Sequence, residues 1–132
     1  MRMLPSDEIP FLLPISVCNW FLHPSNSYAR HGRVEEVDSL LLRGVSVDVR
    51  DDNGNTILLI SCQNGNKRLV KLALRYGADI NLCNFKGNTA LHFCYRYGYA
   101  KTLGSYLKRK GADDQIRNLN GATCEMLGGT ER

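Results

Sequence analysis

Apolar residues through the middle of this chain come in trios separated by polar stretches. Val37, Leu40 and Leu41 are followed 33 residues later by Val70, Ala73 and Leu74, and then by Leu103, Tyr106 and Leu107. The i, i+3, i+4 spacing places each trio on one face of a helix. A helix with a single apolar face needs a neighbour to cover it. A second helix is predicted to open at Thr56 and again at Thr89. At both places a threonine hydroxyl can take the first free backbone N–H groups, and an apolar run begins at once. Three columns of glycine share the period. Gly54, Gly87 and Gly121 fall in polar turns of the form Gly-x-Thr, whereas Gly32, Gly65 and Gly98 separate the two helices of a unit. Gly44, Gly77 and Gly111 follow the amphipathic runs, where the left-handed position just past a helix end suits glycine. Small helical units repeating at one period predict a solenoid rather than a single globular core.

The wording of the units is specific. Residues 51–59 read DDNGNTILL and residues 84–92 read NFKGNTALH; LALRYGADIN follows at 72–81 and YLKRKGADDQ at 106–115. The stretch LLLRGVSVDV at 40–49 is the tail of a preceding unit, and LNGAT at 119–123 is a weakened start of another. These words resemble the ankyrin repeat, D-x-x-G-x-T-P-L-H, a helix, a short loop, a second helix, then L-L-x-x-G-A-D-x-N. The resemblance covers about residues 27–127 and is strongest over 51–113. It implies an all-α ankyrin solenoid of helix–loop–helix units with β-turn fingers. The expected order is an irregular or disordered leader at 1–26, a partial unit at 27–50, repeats at 51–83 and 84–117, a partial unit at 118–127, and a flexible tail at 128–132.

Departures from the pattern are equally informative. Ile57 and Ala90 stand where the family has proline, so the rigid first helical position is lost. Leu59 replaces the histidine that ties neighbouring turns together; only His92 keeps it. Tyr95 fills a slot usually held by alanine, which should push a helix away or mark an exposed end. Gly104 falls inside a predicted helix, at a cost of about 1 kcal/mol relative to alanine. One extra residue lies between Leu107 and Gly111, which predicts a longer or looser end to the third outer helix. The last unit is too short for a second helix. A stack this short is expected to be marginal alone, as a fragment, a short isoform or a chain steadied by a partner.

Composition changes this picture little. The chain has 132 residues, 43% of them hydrophobic, with 17 basic and 13 acidic residues for a formal charge of +4. That excess is small enough to be a solvated surface. It is locally larger at 96–117, where Arg96, Lys101, Lys108, Arg109, Lys110 and Arg117 face Asp113 and Asp114. Binding to nucleic acid or an anionic surface through this region is therefore the alternative function. Cysteines 18, 62, 83, 94 and 124 form no CxxC pair and no zinc-like spacing, which predicts reduced, mostly buried thiols and a cytoplasmic or nuclear protein. The apolar run from Ile9 to Leu22 holds Pro10 and Pro14 and is too short to span a bilayer. Asp7 and Glu8 precede it, which argues against a signal peptide and against secretion.

Candidate chemistry is thin. His92 and Cys94 are two apart, so on a helix they point in different directions. The resemblance gives His92 a structural hydrogen-bonding role. His31 sits in a loop slot, and His23 has no evident partner. Asp51, Asp52, Asp79, Asp113 and Asp114 lie in turns beside glycine, where aspartate bonds its own backbone. No phosphate-binding glycine loop is present, and Gly128-Gly129 reads as a flexible end. No catalytic, metal or cofactor residue is assigned, and a non-enzymatic chain is expected.

The resemblance implies that a partner protein is gripped by the turn tips and the concave face of the first helices. Carried over by position, the tips are Arg50, Asp52, Asn53 and Asn55, then Phe85, Lys86 and Asn88, then Arg117, Leu119 and Asn120. The helix positions are Gln63 and Asn64, then Arg96 and Tyr97. Phe85, Arg96 and Tyr97 are the expected anchors, because aromatic residues and arginine dominate interfaces; alternatively Phe85 folds onto its own turn. Arg50, Lys86, Arg96 and Arg117 favour an acidic or phosphorylated patch on that partner, with the chain acting as a monomer. Asn81, in GADIN, resembles asparagines of ankyrin repeats that are hydroxylated, although the same residue has a structural role in its turn.

Overall fold

The computed structural model describes residues 28–128. The expectations for the leader at 1–26, Cys18, His23 and residues 129–132 lie outside the described residues. After helical residues at 28–30 come α1 (Val34–Leu42), α2 (Ile57–Asn64), α3 (Lys67–Arg75) and α4 (Ala90–Arg96). A π-helical turn (Ala100–Gly104) then runs directly into α5 (Ser105–Arg109), and α6 (Cys124–Leu127) follows. Among the described residues every regular element is helical and none is a strand.

Side chains define the helix starts. Thr56 Oγ1 accepts from the Leu59 N–H at 3.3 Å, and Asn66 Oδ1 accepts from the Leu69 N–H at 3.1 Å. Thr89 and His92 form a reciprocal capping box at the start of α4, the arrangement that satisfies two orphan donors at once. Ile57 through Cys62 are all buried in succession. Up to Cys62 helix α2 is therefore buried all round, as in a helix packed between others, and only Gln63 and Asn64 at its end are exposed. It lies against α3 within its own unit and against α4 of the next, and α4 lies against α6. Helix α3 instead buries Leu69, Val70, Leu72 and Ala73 and turns Lys67, Arg68, Lys71 and Arg75 outward. Its apolar face is stabilised by burial at about 1.5–3 kcal/mol per large side chain.

The third unit departs from the expected register. The extra residue is absorbed at the beginning of the outer helix, not at its end. The Gly104 N–H donates to Tyr99 O at 2.9 Å, five residues back, which defines the π-helical turn. The helix ends in the two units are alike: Ala78 N–H to Ala73 O and Ala112 N–H to Leu107 O, each 3.0 Å. Leu107 thus occupies the place of Ala73 rather than Leu74, and Gly104 that of Val70. The physical reason is Tyr95, which stands where the previous unit has Cys62. Gly104 faces the Tyr95 ring, and on the other side a Cβ added to Gly128 would lie 3.0 Å from that ring. Tyr95 is half-buried between two glycines instead of pushing a helix away, and Gly128 packs there rather than beginning a free tail.

Gly104 has ordinary helical dihedrals, and a Cβ there would meet Tyr95 at 3.5 Å, a normal contact. Gly104→Ala is therefore expected to stabilise the chain by about 0.5–1 kcal/mol and raise Tm by a few degrees. A lowered Tm would show that Tyr95 needs the whole space.

Candidate functional site

Each finger is built by one side chain. Asp51 Oδ1 accepts from the Asn53 and Asn55 N–H groups, both at 2.9 Å. Asn84 does the same for Lys86 and Asn88, and Asn118 for Asn120 and Ala122. This is the Asx-turn chemistry that favours these residues in loops. Successive fingers are then joined. The Phe85 N–H donates to Asn53 O at 3.1 Å, and the Leu119 N–H donates to Lys86 O at 3.0 Å. Asn84 Nδ2 donates to Asn55 Oδ1 at 2.9 Å, and Asn118 Nδ2 to Asn88 Oδ1 at 2.8 Å. His92 completes the last junction: its Nδ1 accepts from the Thr89 N–H at 3.0 Å, so Nε2 donates to Ala122 O at 2.9 Å. Backbone and side-chain bonds of this kind hold the fingers in fixed relation, which is what a preorganised binding wall requires.

Between the fingers and the inner helices runs a groove of about 740 Å³. Asp52, Asn53, Asn55, Gln63, Phe85, Lys86, Asn88, Arg96, Tyr97, Leu119 and Asn120 all line it. The remaining three sequence candidates do not line it. Arg50 donates to Gly54 O at 3.1 Å and to Cys83 O at 2.7 Å, Arg117 donates to Gly121 O at 2.7 Å, and Asn64 Nδ2 donates to Arg30 O at 3.2 Å. Both arginines thus brace fingers.

Phe85 folds onto the preceding finger, not its own. A Cβ on Gly54 would lie 2.7 Å from its ring, and the Arg50 guanidinium is 5.8 Å from the ring centroid. It nevertheless stays 61% exposed, beside Tyr97 at 44% and Leu119 at 77%. Phe93 and Leu127 also line the groove and were not singled out from the sequence. Phe93 stacks on Tyr97 with centroids 6.1 Å apart; the i, i+4 spacing of the two aromatics was the available signal. Nothing local pointed to Leu127, which reaches the groove because α6 packs back on α4.

The basic region at 96–117 does not form one surface. Arg96 lies in the groove and Arg117 braces its finger. Lys108 sits over Tyr95 and pairs with Asp114 at 3.6 Å. Its ammonium is held above the ordinary lysine range first by the Tyr95 hydroxyl. Cys62 and Cys94 are core residues, and the Cys62 thiol is pushed well up, first by its bond to Cys94 and then by burial. Such a thiol is a poor nucleophile. Asn81 Oδ1 accepts from the Asp113 N–H at 2.8 Å and so ties two units together. Among the described residues, no group of three or more His, Cys, Asp or Glu is placed to hold a metal ion. Among the described residues, no helix is long and apolar enough to cross a membrane.

The chain belongs to the ankyrin-repeat family. Residues 26–118 match the family described as "Ankyrin repeats (3 copies)", and the all-α stack of paired helices and fingers is the fold that match implies. Ankyrin repeats generally mediate protein–protein interaction. Among similar proteins, the B-cell lymphoma 3 protein homolog of Mus musculus is 31% identical over 102 residues, covering 76% of this chain and 22% of that protein. The ADP-ribosylation factor GTPase-activating protein AGD2 of Arabidopsis thaliana is 37% identical over 68 residues, 52% of this chain and 9% of that protein. The probable E3 ubiquitin-protein ligase XBOS32 of Oryza sativa subsp. japonica is 32% identical over 81 residues, 61% of this chain and 16% of that protein. The chain thus spans less than a quarter of the length of each of these relatives.

Proposed function

We propose that this chain is a non-enzymatic interaction module that binds a segment of a partner protein in the concave groove. One observation carries the reading: three exposed apolar side chains, Phe85, Tyr97 and Leu119, converge in a groove walled by a hydrogen-bonded ladder of fingers. Apolar surface gathered in one concavity marks an interaction site more than the same residues scattered would. Lys86 and Arg96 line the same groove with Asp52 as the one acidic lining residue, which favours an acidic or phosphorylated residue next to an apolar one on the partner. The module acts as a monomer, and its free thiols suit the reducing cytoplasm or nucleus.

Selection of a displayed peptide library on the purified chain tests this. Enriched peptides are expected to pair an apolar residue with an acidic one. The triple variant Phe85→Ala, Arg96→Ala, Tyr97→Ala is expected to weaken their binding by about 50-fold or more, as removal of interface anchors does. Undiminished binding by the triple variant would place the site elsewhere.

A further inference from the structure

On the outer side of the stack, four cations gather around one ring. Lys67, Lys71, Arg109 and Lys110 place their charged groups 5.0, 5.8, 5.9 and 5.6 Å from the Tyr106 centroid. Lys67 and Lys71 come from α3, and Arg109 and Lys110 from α5 and the residue after it, so the cluster straddles two units. Beside it is a cleft of about 720 Å³ whose rim is Lys71, Arg75 and Lys110 and whose floor includes Leu74, Ile80 and Tyr106. The ion pairs among the described residues are Arg30–Asp51, Arg33–Glu36, Arg68–Glu35 and Lys108–Asp114. Neither the four cations around Tyr106 nor Arg75 of the cleft takes part in them. Tyr106 accounts for part of the gathering through cation–π attraction. That attraction leaves the mutual repulsion of the cations uncancelled, so a bound anion gains from all of them.

We infer that this outer cleft is a second binding site, which takes an acidic peptide segment carrying one apolar side chain. The rim supplies the charge complement to carboxylates, and the aliphatic floor of Leu74 and Ile80 receives the apolar group. A nucleic acid fits the same surface less well. Single strands are held by a basic track with several aromatic platforms, whereas the cleft offers one ring, already approached by four cations. The site is independent of the concave groove and shares no lining residue with it.

The test is fluorescence anisotropy on the full 132-residue chain with three labelled probes: a short peptide alternating glutamate with leucine, an all-glutamate peptide of equal length, and a single-stranded oligo-dT. The glutamate–leucine peptide is expected to bind at least about tenfold more tightly than either other probe, and Lys71→Glu with Lys110→Glu to weaken it by about tenfold or more. Lys101→Glu with Arg43→Glu, a double reversal of equal charge at exposed positions outside the cleft, is expected to change binding by less than about threefold. The concave groove is itself proposed to take acidic peptides with an apolar residue, so the comparison is repeated in a Phe85→Ala, Tyr97→Ala background that disables it; the probe is expected to go on binding there, and the double reversal to go on weakening it by about tenfold or more. Equal loss in the Lys101/Arg43 control would overturn the inference, as would loss of binding in the Phe85/Tyr97 background or no binding at all. Tighter oligo-dT binding, abolished by the double reversal, would make the cleft a nucleic-acid site instead.

Discussion

Replacing His92 with alanine is expected to destabilise the chain by about 2–4 kcal/mol and to loosen its C-terminal end first. His92 is 1% exposed, and both ring nitrogens are engaged. Nδ1 holds the Thr89 N–H within the capping box, and Nε2 reaches across to Ala122 O in the following finger. Alanine would leave a buried amide unpaired, open a cavity, and cut the tie to the finger that leads into α6. A donor stranded in the interior costs more than an average hydrogen bond contributes. Helix α6 is only four residues long, Cys124–Leu127, so it has little helical stability of its own. Hydrogen exchange in a chemical denaturation series reads both effects. The amides of 118–127 should lose protection before those of α2 and α3. A uniform loss below about 1 kcal/mol, with α6 unaffected, would show that packing alone holds the last finger.

The second large effect is expected at Gly87, and it is sharpest beside Gly77. Both have positive φ, +81° and +88°, so alanine at either is strained by about 1 kcal/mol. They differ in what a Cβ would meet. At Gly77 nothing lies within 4 Å, whereas at Gly87 the Cβ would fall 2.8 Å from Leu119 N and 3.0 Å from Asn118 Cα. These are backbone atoms of the next finger, fixed by the bond from the Leu119 N–H to Lys86 O. They cannot withdraw without breaking the ladder. Gly77→Ala should therefore cost about 1 kcal/mol and Gly87→Ala about 3 kcal/mol or more. Equal costs, measured by denaturant melts, would mean that the fingers yield freely. Binding at the concave groove should weaken in Gly87→Ala and persist in Gly77→Ala, because only the first disturbs the wall.

Much of the fold was legible because its causes are local and repeated. The threonines at 56 and 89 announce helix starts through their own hydroxyls, and the glycine columns mark left-handed positions through the missing Cβ. The finger tips were legible too, since Asp51, Asn84 and Asn118 each organise a turn within a few residues of themselves. The third outer helix was misaligned by one position. Its extra residue could be assigned to either end on sequence alone, and the choice was made by the size of Tyr95 against Gly104 in another helix. Of the candidate tip residues, Arg50 and Arg117 differ from the others because backbone carbonyls of the turns capture their guanidinium groups.

Read along the chain, residues 28–128 establish a period, the two helices of each unit and the turns between them, because capping, helical periodicity and glycine conformation act over a few residues. Tertiary structure alone decided which exposed side chains become neighbours. Phe85, Tyr97, Leu119 and Leu127 come together only when the fingers stack and α6 returns onto α4. Lys67, Lys71, Arg109 and Lys110 meet at Tyr106 only when α3 lies beside α5. Both surfaces join residues separated by tens of positions, and their convergence depends on how far each unit is turned against the next. That stacking rests on contacts between helices of different units, α2 against α4 and α4 against α6, which no short window of sequence contains.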